Sequence, residues 1–169
     1  MSIKRTFATV AIMLQLGGLA SAGNSPRTKM NIEAEIVADT QLWINASPDK
    51  VWAVLTDVAR WTEWLPEFAN ARLDGPLAAG TTLFWEPQGQ KVVSRLVVVE
   101  PSHRLIWNGS GGAVHVWELT PSGGGTLLRN AESIEEWNFP GAAADQSAFL
   151  ADTLKIWNAR LAEQVGDKR

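Results

Sequence analysis

Six short β-rich runs separated by turn residues fill the middle of the chain, and they constrain its fold more than any other feature. The turns between them are rich in Gly, Pro, Asp and Ser, as in the triplet at 74–76 and the stretch at 109–112. Short strands at this spacing are typical of an antiparallel meander. The predicted strands cover about residues 69–74, 81–87, 91–100, 104–109, 113–120 and 126–137.

Two short helices are predicted ahead of the meander. A first strand over 35–45 leads into Ser47 and Pro48, which suit the N-cap and the first turn of a helix. A second short helix is predicted from Val58 to about Trp64, where a proline two residues later ends it.

A longer amphipathic helix is predicted at the end of the chain, over about residues 143–165. Its apolar residues recur at three- and four-residue steps and need a surface to pack against. The order of elements predicts an α+β fold, in which an antiparallel sheet of about seven strands is covered on one face by this helix. The apolar stripe consists of Leu150, Leu154, Trp157, Leu161 and Val165.

The first 22 residues have the three parts of a secretory leader. Lys4 and Arg5 form a basic start, residues 7–19 are apolar and almost uncharged, and residues 20–22 are small. The apolar run is shorter than the roughly 20 residues of a membrane-spanning helix. We therefore expect cleavage after Ala22, a periplasmic or secreted protein, and no stable membrane insertion once the leader is removed.

The remaining chain is expected to form one domain. Residues 23–31 are polar and contain a proline, and they are interpreted as a linker. Residues 32–169 have the length of a single domain with its own core.

Composition excludes several classes of function. The leader carries two of the 15 basic residues and none of the 18 acidic ones, so its removal takes the formal net charge from −3 to −5. A nucleic acid is therefore not an expected partner. The chain has no cysteine, which excludes disulfides and thiolate chemistry. Nine tryptophans without a tyrosine suit either a large core or an aromatic pocket.

Four segments together resemble the START-like helix-grip superfamily (SRPBCC), in particular its polyketide cyclase/dehydrase and lipid-transport branch. They are SPDKVWAVLTDVARWTEWLPEF at 47–68, HRLIWNG at 103–109, HVWELTPSGGGTLLRNAESI at 115–134 and the closing helix. The resemblance spans about residues 35–165. It implies a curved sheet around the long helix, a cavity between the two, and neither a metal nor a cofactor.

The family pattern also implies which side chains line the cavity, because side chains alternate between the two faces of a strand. It places His115, Asn130 and Glu132 inside, among apolar rings, and it places Arg129 and Ala131 outside. An apolar lining with a few polar groups is typical of a ligand pocket. The predicted ligand-binding residues are Trp64, Leu83, Trp85, Leu105, Trp107, His115, Trp117, Leu128, Asn130, Glu132, Ile134 and Trp157.

Three functions fit such an interior. The first is exported, non-enzymatic binding of a small or medium hydrophobic ligand such as a lipid, an isoprenoid or a polyketide-like molecule, with the polar side chains orienting its polar end. The second is a cyclase or dehydratase in which His115 and Glu132 are the acid and base. The third is an interaction module without a ligand, whose tryptophans are core.

Other chemistry lacks the residues that it needs. The chain has no G-x-S-x-G turn for a serine nucleophile. Its two histidines, His103 and His115, lie on a predicted turn and a predicted strand, which does not favour a zinc site. The glycine-rich loops connect strands and do not open a helix, so they are interpreted as hairpin loops and not as phosphate cradles.

Overall fold

A single antiparallel sheet organises the part of the chain that the computed structural model describes, namely residues 25–86, 91–136 and 141–167. Its seven strands follow the order β1-β7-β6-β5-β4-β3-β2, so the first strand pairs with the last. The predicted leader lies outside the described residues. The strands are β1 (Ile36–Ile44), β2 (Ala69–Asp74), β3 (Thr82–Glu86), β4 (Val92–Glu100), β5 (Arg104–Asn108), β6 (Val114–Ser122) and β7 (Gly125–Ile134).

Three helices accompany the sheet within these ranges: α1 (Pro48–Leu55), a 3₁₀ helix (Val58–Glu63) and α2 (Ala143–Asp167). The Ser47 side chain caps α1 by accepting a hydrogen bond from the backbone N–H of Lys50. The apolar stripe of α2 is buried from Leu154 onward, with Leu154 and Leu161 inaccessible to solvent, whereas Leu150 is partly buried. The predicted α+β helix-grip architecture is confirmed, and the second short helix is a 3₁₀ helix.

The main core lies between the inner face of the sheet and the helices. α1 contributes Val51 and Leu55, and α2 contributes the stripe residues from Leu154 onward. A smaller cluster lies at the start of α2, where Ile36 and Ile134 pack beside Ala143, Ala113 and Leu150. The inner face of the sheet supplies Leu83, Trp85, Val92, Leu96, Leu105, Trp107, Trp117, Leu119 and Leu128 to the main core.

The register of the strands is uninterrupted where the polar interior residues lie. The pairs β1–β7, β5–β6 and β6–β7 contain no shift, whereas β2 and β4 each contain an irregularity, between positions 69 and 72 and between 96 and 98. A bulge would exchange the inner and outer side chains beyond it. Because β6 and β7 have none, His115 lies opposite Glu132, and Trp117 lies opposite Asn130.

The outer face of β5–β7 is covered as well, by an N-terminal arm (residues 25–31). The arm has no helix or strand, yet Arg27 exchanges two hydrogen bonds of 2.9 Å with the side chain of Asn108, and the Asn31 N–H donates to Ser133 Oγ at 3.1 Å. Met30 packs against the apolar outer cluster of β5 and β6. This cover explains why the outward-facing residues Ser133 and Val114 are completely buried.

An ion pair fastens the arm to the end of β7. Arg27 Nη1 lies 2.6 Å from Glu135 Oε2, and Asn31 Nδ2 donates to Glu135 Oε1 at 3.1 Å. The hydrogen bond from Asn31, followed by the one from Arg27, lowers the pKa of the Glu135 carboxyl. The segment predicted as a linker is thus in contact with the sheet.

Candidate functional site

Seven rings from every layer of the fold meet inside the main core and form the ring cluster. They come from the 3₁₀ helix, the loop before β2, three strands of the sheet and α2, so the cluster exists only once all these elements have assembled. The ring cluster consists of Trp61, Phe68, Trp85, Trp107, His115, Trp117 and Trp157.

Phe68 is the centre of one half of the ring cluster. Its ring stacks on Trp85 with centroids 4.0 Å apart and meets Trp61 and Trp157 edge-on at 4.9 and 4.8 Å. Offset stacking and edge-to-face contacts are the arrangements that aromatic quadrupoles favour. Phe68 is inaccessible to solvent, so this half of the cluster is apolar and dry at its centre.

His115 is the centre of the other half. Its imidazole stacks on Trp107 with centroids 4.4 Å apart and planes 8° apart, and it lies 5.5 Å from the Trp117 ring and 5.9 Å from the Trp157 ring. Trp157 therefore touches both halves. The imidazole is the one titratable ring of the cluster, and three indoles surround it.

A carboxylate fixes the orientation of the imidazole. His115 Nδ1 lies 3.1 Å from Glu132 Oε2 on the neighbouring strand, and the two side chains are only 2% and 8% exposed. An ionised carboxylate can only accept, so Nδ1 then carries the hydrogen. Nε2 is then left as an acceptor.

Four buried polar atoms in this region have no hydrogen-bond partner among the described residues. They are His115 Nε2, Trp117 Nε1, Trp157 Nε1 and Asn130 Oδ1. The first three belong to neighbouring rings of the cluster, and Asn130 lies directly opposite Trp117 on β7. More than 90% of buried polar groups in native proteins are paired, so four unpaired atoms on neighbouring side chains call for a physical explanation.

A chain of hydrogen bonds links Asn130 to β1 and α2. Thr40 Oγ1 donates to the backbone carbonyl of Asn130 at 2.8 Å, and Asn158 Nδ2 donates to Thr40 Oγ1 at 2.9 Å. Asn130 Nδ2 in turn donates to Asn158 Oδ1 at 2.9 Å. All three side chains are buried. This amide triad fastens the middle of α2 to the sheet beside the ring cluster.

All twelve residues predicted for the site are buried, and most of them lie together. Glu132 bonds to His115, and Asn130 lies opposite Trp117. Five of the twelve belong to the ring cluster itself: Trp85, Trp107, His115, Trp117 and Trp157. Ile134 does not, because it packs in the separate cluster at the start of α2. The remaining four, Trp64, Leu83, Leu105 and Leu128, lie in the main core around the rings.

Sequence reasoning missed four interior residues. Asn158 is a polar residue next to Trp157 in the predicted helix, and Thr40 lies on the alternating inner face of β1, so a search for polar residues on buried faces would have found both. Trp61 lies in the second short helix, and the sequence alone does not assign it to the site. Phe68 lies in a loop without periodicity, and no local pattern indicates its role.

Other kinds of site find no support in the described ranges. No group of three His, Asp or Glu side chains there comes close enough to hold a metal ion. Likewise, no helix in this part of the chain is both long and apolar enough to cross a membrane. His103 lies on the turn before β5, and 64% of its side chain is exposed. The His115 side chain, in contrast, is only 2% exposed.

A curved antiparallel sheet that grips a long C-terminal helix defines the START-like helix-grip class. Residues 36–165 match the family described as polyketide cyclase / dehydrase and lipid transport, and the chain belongs to this family. A search of the curated proteins finds no match.

Solved structures share the fold. A START superfamily protein from Mycobacterium smegmatis superposes with a TM-score of 0.66 at 16% sequence identity, over 79% of this chain and 99% of that one. A protein from Mesorhizobium loti gives 0.63 at 20% identity, over 79% and 98%. The di-domain ARO/CYC StfQ from the steffimycin biosynthetic pathway gives 0.63 at 16% identity, over 80% and 52%. Family and fold together define a START-like hydrophobic ligand-binding domain.

Removal of the Phe68 ring tests the packing of the ring cluster. Phe68→Ala leaves a cavity between three rings and is expected to lower the free energy of unfolding by about 3–5 kcal/mol in urea denaturation. Phe149→Ala is the matched control, because Phe149 is 41% exposed, and its change should stay within about 0.5 kcal/mol. Similar small losses in both variants would contradict the packing described.

Proposed function

We propose that the protein binds one apolar molecule with a polar end, of the lipid, isoprenoid or polyketide-like kind, within the ring cluster. The observation that carries this proposal is the group of four buried polar atoms without partners beside the rings. The indoles offer two donors, Asn130 offers an acceptor, and His115 Nε2 offers a second acceptor when Nδ1 donates to Glu132. A ligand oxygen among them would pair atoms that the protein leaves unpaired.

The energetics favour an occupant with this chemistry. A buried polar atom without a partner costs about 1–3 kcal/mol, so each hydrogen bond from a ligand recovers part of that cost. The surrounding rings supply apolar contact area, which contributes about 25 cal/mol for each Å² removed from water. The proposal therefore assigns affinity to the rings and orientation to the polar atoms.

The comparisons are consistent with this proposal. The family description names both cyclase/dehydrase activity and lipid transport, and the similar StfQ is an ARO/CYC from a biosynthetic pathway. Both kinds of activity require an interior that accepts a largely apolar molecule. The binding proposal for this chain rests on its own polar atoms and rings.

Native mass spectrometry of the protein isolated from its own cells tests the proposal. We expect a retained small molecule that appears in the organic extract of the purified protein. Trp117→Phe keeps a ring in place but removes one indole N–H, and it should bind that molecule about fivefold more weakly, as the loss of one hydrogen bond of about 1 kcal/mol requires.

The matched control is Trp43→Phe, because the Trp43 N–H bonds to the Ser122 carbonyl at 2.9 Å and its side chain lies at the surface. This variant should retain the molecule as the unaltered chain does. Protein that carries no molecule, and takes none up from a lipid extract of the same cells, would contradict ligand binding and favour an interaction module.

The His115–Glu132 pair supports a second candidate function, a cyclase or dehydratase. Glu132 holds Nδ1 at 3.1 Å, and Nε2 has no partner in the described residues, so the imidazole can take a proton from a substrate and return it elsewhere. Glu132→Gln keeps the shape of the side chain but removes its charge. Turnover of an aromatic polyketide-like substrate should then fall at least about 100-fold, and unchanged turnover excludes this role.

We also propose export to the periplasm or beyond, on the basis of the basic, apolar and small-residue parts of residues 1–22. Intact mass spectrometry of the protein from the envelope fraction should give a chain that begins at Gly23. A chain that retains Met1 and stays in the cytosolic fraction would overturn the proposal. Ligand binding and export are separate claims, and each can fail without the other.

A further inference from the structure

We infer that the polar end of the ligand is a hydroxyl group and that Asn158 is the positioning residue that selects it. This inference rests on the proposed binding function. It depends on which atom of the buried Asn130 amide, Oδ1 or Nδ2, faces Asn158. Three hydrogen bonds, taken one after another, determine this orientation. The order of donors and acceptors starts from a backbone carbonyl, which can only accept.

The first step is the hydroxyl of Thr40. It lies 2.8 Å from the backbone carbonyl oxygen of Asn130. Because a carbonyl cannot donate, the Thr40 hydroxyl must donate its only hydrogen to that oxygen. Any further partner of Thr40 Oγ1 must therefore be a donor. Asn158 is that partner, at 2.9 Å.

The second step is the amide of Asn158. Because it must donate to Thr40, its Nδ2 faces Thr40 and its Oδ1 faces the other way, toward Asn130. Oδ1 can only accept, so Asn130 must present its own Nδ2, at 2.9 Å. The two amides cannot be flipped singly without placing two donors or two acceptors against each other.

The consequence is a fixed acceptor beside the ring cluster. Asn130 Oδ1 is left over, fully buried and without a partner in the described residues. When Nδ1 of His115 donates to Glu132, His115 Nε2 is a second acceptor. The Trp117 and Trp157 indoles are donors only. The unpaired set therefore comprises two acceptors and two donors.

This balance selects a group that both donates and accepts. An alcohol or phenol hydroxyl gives its hydrogen to Asn130 Oδ1 or His115 Nε2 and accepts from an indole N–H. A ketone, an ether or an ionised carboxylate only accepts, and it leaves both protein acceptors unpaired. Sites built to pair with a substrate hydroxyl discriminate strongly against analogues that lack it, because their own buried groups are left without partners.

Two naphthalene probes test the selection. 2-Naphthol donates and accepts, whereas 2-methoxynaphthalene has the same ring and only accepts. Titration of the mature protein, followed by calorimetry and tryptophan fluorescence, should give an affinity for 2-naphthol at least about tenfold higher. Equal affinities would overturn the inference while leaving the binding function intact. Binding of neither probe would overturn the inference, and the binding function falls with it only if the protein also carries no molecule from its own cells.

Variants of Asn158 test its positioning role. Asn158→Leu removes the group that holds the Asn130 amide, so the preference for 2-naphthol should fall to about twofold or less, as expected when the discriminating hydrogen bond is lost. Burial favours the neutral acid in Asn158→Asp, which can donate its O–H to Thr40 Oγ1 and accept from Asn130 Nδ2 as the amide does, so the preference should persist. If Asn158 were purely structural, both variants would lower the affinities for the two probes by the same factor. That result would overturn the assignment of Asn158 as the positioning residue.

Thr40→Val provides the same test without altering the helix. It replaces the hydroxyl with a methyl group of similar size, frees Asn158 to turn, and should also reduce the preference. Trp43→Phe is the control and should preserve the ratio of affinities. Near-ultraviolet circular dichroism establishes that each variant compared is folded. A folded Asn158→Leu or Thr40→Val variant that keeps the full preference for 2-naphthol would overturn the role of the amide triad.

Discussion

The register of β7 between β1 and β6 is the constraint on which the polar interior depends. It sets Thr40, Asn130 and Trp117 in one row across three strands, and it sets Glu132 and His115 opposite each other in the next inward row. A shift of one residue would turn these side chains to the outer face. The His115–Glu132 pair, the amide triad and the positions of the unpaired atoms all depend on this alignment.

The interior has two parts, one centred on the Phe68 ring and one centred on the imidazole of His115. Around Phe68 the rings are stacked or packed edge-to-face, which is a stable arrangement. Around His115 the same class of rings surrounds polar atoms that the protein does not pair within its described residues. Trp157 belongs to both regions, so occupancy at the polar end is connected through one side chain to the packing of α2 on the sheet.

Much of this arrangement could be predicted from sequence because it depends on alternation and turn chemistry. A period of two separated the faces of β6 and β7, and the family resemblance indicated which face lies inward. The alternation is preserved because no bulge interrupts those strands. The role of Phe68 could not be predicted, since a loop residue obtains its neighbours from the tertiary fold alone. For Ile134 the strand face was assigned correctly, but alternation does not give the position along the strand. That position places Ile134 in the separate cluster at the start of α2.

The outer face illustrates a further limit of pattern reasoning. Residues 25–31 have the composition of a linker, and composition does not reveal that Arg27 and Asn31 have partners more than 80 positions away. The amide triad was missed for a related reason, because the meaning of Asn158 depends on Thr40, 118 positions earlier. Such pairs become visible only when the sheet order is known.

The most direct test of the account is a ¹H–¹⁵N spectrum of the indole N–H groups before and after addition of 2-naphthol to the protein. The account predicts that the signals of Trp117 and Trp157 move, because their N–H groups gain an acceptor. Those of Trp43 and Trp61 should stay in place, because they already donate to the carbonyls of Ser122 and Leu55 at 2.9 and 2.8 Å. Bound 2-naphthol that leaves the Trp117 and Trp157 signals unmoved would contradict the central claim.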